Sequence, residues 1–295
     1  MIANNRSRLL SCVPWLQRQP QLFLRCALSV LVLGVISLPI SAQGLGSASA
    51  STGQSRAQSG FYLGVLGGTG SLADTSLQQR GGVYLTSRRI LPIDAQGSTG
   101  HTGVWLTGIQ AGYEGNPVGL SGQDWALRPA LEAEGILIGQ HSPVGNMPIM
   151  PRFLGTQYVK MPMTAQLLMA NAVLTIRTPY SDTVFPYIGA GAGAAFISIS
   201  GADSANPSEP GINHFNSDPN ARATAFAAQF KVGLRAQLQS NLAWFAEYRL
   251  ISINPTSYTF GSTVYPGAHL PTKPWSVNMG RLNYNLFVTG LQYRF

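Results

Sequence analysis

The chain's last twelve residues change character at every step, and this alternation limits the possible folds more than any other feature. From Phe287 the odd positions Phe287, Leu291, Tyr293 and Phe295 are large and apolar, with Thr289 the exception. Between them, Gly290, Gln292 and Arg294 are small or polar. A two-residue period belongs to a β-strand whose faces meet different surroundings. An apolar outer face and a polar inner face suit the wall of a barrel standing between lipid and lumen. The expectation is an all-β chain closed into an antiparallel transmembrane barrel, located in the outer membrane of a Gram-negative bacterium.

Composition agrees with that solvent. Charged residues make up only 10% of the 295, and mean hydropathy is near zero at +0.09. After the N-terminal segment no run approaches the roughly twenty apolar residues of a membrane helix. Strands that alternate between lipid and lumen hide their hydrophobicity from such an average. Arg6, Arg8, Arg18 and Arg25 precede an apolar segment at 26–40, which has Pro39 near its end and is followed by Ser41 and Ala42. Basic region, apolar core and small-residue exit stand in secretory order, which predicts a signal peptide over 1–42 cut between Ala42 and Gln43. A retained anchor helix is the rival reading, and the apolar core is short for it. Both cysteines, Cys12 and Cys26, lie in this segment, so no thiol chemistry or disulfide is expected after processing. Losing four arginines leaves 15 basic against 11 acidic residues, and these do not cluster, which argues against a nucleic-acid partner. Residues 43–59, rich in Ser, Gly, Ala and Gln, read as a flexible periplasmic leader to a barrel over 60–295.

Eight strands are expected, near 60–68, 103–113, 127–139, 163–178, 185–200, 223–238, 242–251 and 282–295. Most reach the roughly 9–11 residues that a tilted membrane strand requires. Long connections (69–102, 140–162, 201–222, 252–281) alternate with shorter ones (114–126, 179–184, 239–241), as external loops alternate with periplasmic turns. A β-sandwich does not demand that alternation. Phe226, Ala228, Phe230, Val232 and Leu234 share one side of their strand, with Gln229, Lys231 and Arg235 on the other. Leu242, Trp244, Ala246, Tyr248 and Leu250 oppose Glu247 and Arg249, and Leu127, Leu131, Ala133 and Leu137 oppose Arg128, Glu132 and Glu134. The run Gly189-Ala190-Gly191-Ala192-Gly193-Ala194 leaves open which set faces inward.

Three stretches carry a resemblance: Phe185-Pro186-Tyr187-Ile188-Gly189-Ala190-Gly191-Ala192-Gly193, Phe245-Ala246-Glu247-Tyr248-Arg249, and Gly290-Leu291-Gln292-Tyr293-Arg294-Phe295. Together they resemble the small eight-stranded outer-membrane barrels, the OmpA-like and opacity-protein-like surface antigens, over about 60–295. The resemblance implies a non-enzymatic surface protein contributing to envelope integrity and adhesion. It also implies contact with outer-membrane lipid and lipopolysaccharide. Tyr293 and Phe295 look like the signal read by the barrel-assembly machinery.

Several constellations bear on chemistry. A barrel of eight strands is wide enough only for its own side chains. Arg128, Glu132, Glu134, Lys231, Arg235, Glu247 and Arg249 therefore read as a mutually paired lumen plug, with a narrow porin-like path for small solutes as the alternative. His101, His141, His214 and His269 fall one in each long connection without close-spaced ligand pairs, so they read as scattered, solvated side chains and not as a metal site. Lipid A deacylases, the second alternative, carry His-x-Ser-Asn on a lipid-facing strand. Here His214-Phe215-Asn216-Ser217 reverses that order and sits in a connection. The glycines of 64–70 lack the Gly-Lys-Ser/Thr ending and the helix of a phosphate cradle. No catalytic residue and no cofactor is expected. The external loops, stiffened by prolines and carrying Tyr258, Phe260, Tyr265 and Trp275 as contact area, are the candidate surface for an extracellular ligand.

Overall fold

The computed structural model of the protein describes residues 59–119 and 124–295. The signal segment, its cleavage site at Ala42 and Gln43, and the leader apart from Ser59 lie outside the described residues. In chain order the strands are β1 (Gly60–Leu72), β2 (Ser76–Thr86), β3 (Arg89–Thr99), β4 (Thr102–Glu114), β5 (Val118–Gly119), β6 (Ala126–His141), β7 (Val144–Met150) and β8 (Thr156–Lys160). They continue as β9 (Met163–Arg177), β10 (Val184–Ile199), β11 (Asp203–Ala205), β12 (Ala221–Gln237), β13 (Leu242–Ile253), β14 (Thr256–Phe260), β15 (Trp275–Met279) and β16 (Leu282–Arg294).

Eight of these form the barrel. Antiparallel neighbours run β4-β1-β16-β13-β12-β10-β9-β6, and pairing of β6 with β4 closes the ring. Closure leaves no unpaired edge, the condition for backbone to cross hydrocarbon. The first and last strands pair with Tyr62 opposite Arg294. All eight lie within a few residues of the spans expected from alternation. The outward series Phe287, Leu291 and Tyr293 on β16, Phe226, Phe230 and Leu234 on β12, and Trp105, Ile109 and Tyr113 on β4 are exposed apolar side chains. Toward one end this band gives way to outward Asn283, Ser252, Thr224 and Gln166. The eight residue steps from Tyr113 to Trp105 span roughly 20 Å at the usual strand rise and tilt, close to the height of an apolar membrane band.

The long connections are not irregular loops. Seven strands form a second sheet in the order β11-β8-β7-β3-β2-β15-β14, drawing on all four connections. They alternate as the barrel strands do: Met147 and Ile149, Tyr258 and Phe260, and Trp275, Val277 and Met279 are buried. Asn146, Pro148, Ser257 and Thr259 on the other face are exposed. A polar outer face belongs in water, so this extension continues the wall beyond the lipid. Tyr258, Phe260 and Trp275 are therefore core residues and not the contact surface expected for them. Burying such rings stabilises by far more than exposing them to an occasional ligand.

The expectation of a polar inner face also needs correction. It holds only for the half nearest the ends of the described chain. Above the charged residues, the inward positions become Leu66, Leu106, Ile136, Leu167, Ile251, Leu286 and Val288, then Leu72, Ile138, Met163, Ile197, Ile253 and Leu282. These merge with Leu77, Met147, Val159, Met161 and Phe215 of the extension into one buried apolar cluster. On β10 Gly189, Gly191 and Gly193 face inward and Ala190, Ala192 and Ala194 outward. A side chain at Gly191 would collide with Asn171 Oδ1, and one at Gly233 would meet Glu247 Cβ at 2.7 Å. Glycine here makes room for the polar layer.

Candidate functional site

The strand alternation brings together all seven expected lumen charges, on β6, β12 and β13. At the level nearest the chain ends, Glu114 on β4 accepts from Arg235 Nη1 at 3.1 Å, from Arg128 Nη1 at 3.2 Å and from Thr175 Oγ1 at 3.4 Å, and also pairs with Arg294. One level up, Glu132 accepts from the Tyr62 hydroxyl at 2.8 Å and Asn171 Nδ2 at 3.2 Å, and pairs closely with Lys231. Lys231 also donates to Glu134 at 2.9 Å. Arg249 spans the next level: Nη1 and Nη2 reach the two oxygens of Glu134 at 3.1 and 2.9 Å, while Nε donates to Glu247 at 2.8 Å. The Tyr187 hydroxyl completes Glu247 at 2.7 Å.

Register explains these neighbours. Gly233 lies opposite Glu247 and Lys231 opposite Arg249, so the vacant glycine position lets Lys231 and Arg235 lean past. Arg235 passes between two rings, with its guanidinium carbon 5.9 Å from the Tyr62 centroid and 5.3 Å from that of Tyr187. Every one of the seven side chains is buried, Arg249 completely. Ions so far from water persist only when paired and hydrogen-bonded, and here each carboxylate has at least three polar partners or a two-pronged guanidinium. Counting Glu114 and Arg294, four carboxylates face five cations.

Glu114 is hidden in the sequence by its place at the head of the connection 114–126, although it continues the even-numbered inward series Gln110 and Gly112. Asn171, Tyr62 and Tyr187 give no signal either, because an isolated polar residue or tyrosine carries no charge pattern to flag it. Asn171 is recognisable only once its strand is known to place 169, 171 and 173 inward.

The histidines are not uniformly solvated. His101 is exposed beside Asp74, 2.8 Å away. His141 ends β6 and points into the barrel, between Gly139 O at 2.9 Å and the Tyr284 hydroxyl at 3.2 Å. His214 is buried in the extension and meets His269, with ring centroids 5.3 Å apart. The reversed run His214-Phe215-Asn216-Ser217 lies in that extension, away from lipid. Phe215 stacks on Phe260 at 4.3 Å, and Asn216 holds the backbone of Val264. On the outer wall an apolar groove of about 500 Å³ runs between Leu131, Ala172, Leu174, Ile188 and Phe230. It belongs to the lipid-facing surface.

A ring of eight antiparallel strands, apolar outside and filled inside, defines an integral outer-membrane barrel. The family model described as outer membrane protein beta-barrel domain matches residues 40–295, and the chain belongs to that family of the Gram-negative outer membrane. A search of curated proteins finds no match. Among solved structures, the chain is similar to OprG from Pseudomonas aeruginosa, with 13% identity over 80% of this chain and 96% of that one, at a TM-score of 0.40. It is similar to Neisserial surface protein A, with 14% identity over 80% and 97%, at a TM-score of 0.36. It is also similar to the outer membrane protease OmpT from Escherichia coli, with 10% identity over 79% and 97%, at a TM-score of 0.37.

Proposed function

We propose that this protein is a sealed, non-enzymatic barrel that reinforces the outer membrane and presents a rigid β-extension at the cell surface for adhesion. One observation carries the reading: the interior is filled twice over. A paired ionic layer occupies the periplasmic half, and a continuous apolar core runs from mid-barrel into the extension. A solute path would need either water-filled cross-section or mobile charge, and both layers consist of tightly partnered, buried side chains.

The extension supplies the binding surface. The β2–β3 hairpin exposes Leu85, Arg88, Arg89 and Ile90 at its tip, while its buried face anchors it to the rest of the sheet. Functional positions on rigid scaffolds are commonly carried this way. At the lipid boundary, Arg222 stands on the outward face of β12 beyond Phe226, suited to a lipopolysaccharide phosphate. Tyr293 and Phe295 point outward and exposed at the opposite end, where the assembly machinery would read them. Single-channel recording in planar bilayers tests the sealed reading. The wild-type chain is expected to give no discrete current steps, and a stable open-channel current would refute the plug. Binding of reconstituted barrel to sulfated glycans or matrix proteins, compared with Arg88→Glu/Arg89→Glu, tests adhesion. Equal binding by both would exclude the hairpin tip.

A further inference from the structure

The seven-stranded extension is not closed by strand pairing. Its edges are β11 and β14, and the segment 206–220 fills the gap between them. Gly261 N donates to Asp218 O at 2.8 Å, and Thr263 Oγ1 donates to His214 O at 3.0 Å, so the seam rests on loop contacts instead of a ladder. Glu209 and His214 lie on one side of this seam and His269 on the other.

We propose that Glu209, His214 and His269 form a binding site for a divalent transition-metal ion of the zinc class, which staples this seam. One ligand atom from each residue lies within 4.8 Å of the others. Glu209 Oε2 is 3.1 Å from His214 Nε2 and 3.5 Å from His269 Nε2. Ligands at zinc distances on the corners of a tetrahedron stand roughly 3.3 Å apart, and the two separations from Glu209 bracket that value.

Tautomers strengthen the assignment. His214 Nδ1 is 2.7 Å from Ser204 O, and His269 Nδ1 is 2.5 Å from Leu270 O. A carbonyl only accepts, so each Nδ1 carries a proton, and each ring presents Nε2, the nitrogen left to bind a metal, to the same carboxylate oxygen. Gln157 Nε2 lies 3.1 Å from His214 Nδ1, but the carbonyl is nearer and fixes the donor. His214 Nε2 lies within hydrogen-bond distance of Glu209 Oε2, and a metal ion would take the place of the proton that such a contact holds. Backbone carbonyls orienting the far nitrogen are also the usual support of a histidine metal ligand. The ring of His214 is further fixed edge-on to Trp275, whose Nε1 donates to Thr263 Oγ1 at 3.1 Å. Glu209 is partly exposed, so an ion has an entry and a fourth position remains open to water.

The test uses the full barrel, refolded in detergent without a histidine tag, titrated with zinc chloride alone by calorimetry at neutral pH. The expected result is one zinc per chain, with affinity at least tenfold weaker in His269→Ala and in Glu209→Gln, and unchanged in His101→Ala. Glu209→Gln keeps the side-chain shape, so a loss in it is not a folding defect. As a second readout, zinc is expected to slow proteolysis within 206–220 in the wild type and not in Glu209→Gln. No zinc-dependent heat in the wild type, or binding that survives both substitutions, would overturn the proposal.

Discussion

Glu114→Gln is the sharpest perturbation of the lumen, because one carboxylate there serves three guanidinium groups. The side chain keeps its size, but the oxygens that accept from Arg128 at 3.2 Å and Arg235 at 3.1 Å become one weaker acceptor and one donor aimed at a cation. The lumen then holds five cations against three carboxylates. Removing one partner of a buried ionic cluster costs about 3–5 kcal/mol, since the remaining charges lose their compensation and not merely an attraction. Arg294 is partly exposed, so its share is small. At about 2 kcal/mol per molar of urea, the unfolding midpoint of refolded barrel falls by roughly 1.5–2.5 M. Gel mobility of unheated samples, read across a urea series in lipid vesicles, measures this. Adding Arg235→Met is expected to restore part of the loss, because removing both members of a buried pair is far milder than orphaning one. Full restoration is not expected, as Arg235 also packs between Tyr62 and Tyr187. A shift below about 0.5 M for Glu114→Gln, the size an exposed pair gives, would refute the buried-plug argument.

Three further outcomes are expected. Met147→Ala opens a cavity in the extension's core and is expected to cost about 2–5 kcal/mol, seen as faster external proteolysis, whereas exposed Met150→Ala stays within about 0.5 kcal/mol. Gly191→Ala pushes a methyl group into Asn171 and is expected to destabilise by about 1–3 kcal/mol. Gly103→Ala, which meets nothing within 4 Å, serves as its control and should match wild type. Phe295→Ala, on an exposed ring packed edge-on to Tyr293 at 5.2 Å, is expected to slow insertion catalysed by the assembly machinery while leaving spontaneous refolding in detergent unchanged. Equal slowing of both would mean that the ring acts in folding and not in recognition.

The barrel was legible because lipid imposes a strict code. Each membrane strand needs an apolar side, and a two-residue period reads out as Phe226 to Leu234 or Phe287 to Tyr293 without knowledge of partners. The lumen charges were legible for the complementary reason: Glu132, Glu134, Lys231 and Arg249 each stand on the phase of their own strand opposite its apolar side chains. The extension was not. Its strands are short, three to eleven residues, and two of them are interrupted by Pro92 and Pro148, so their alternation drowned in turn signals. Tyr258, Phe260 and Trp275 look like surface aromatics in a loop until β14 and β15 pair and turn them inward. The meeting of His214 with His269 depends on where two connections cross, 55 positions apart in sequence, and no spacing rule carries that information.

The central claim, a closed wall with lipid outside and a filled interior, is tested most directly by a nitroxide scan along 282–294 in lipid vesicles. Collisions with dissolved oxygen are expected to peak at 287, 289, 291 and 293. At 286, 288 and 292 the probe should be shielded both from oxygen and from a water-soluble nickel chelate. Ready access of the nickel reagent to those three inward positions would mean an open aqueous lumen and contradict the account.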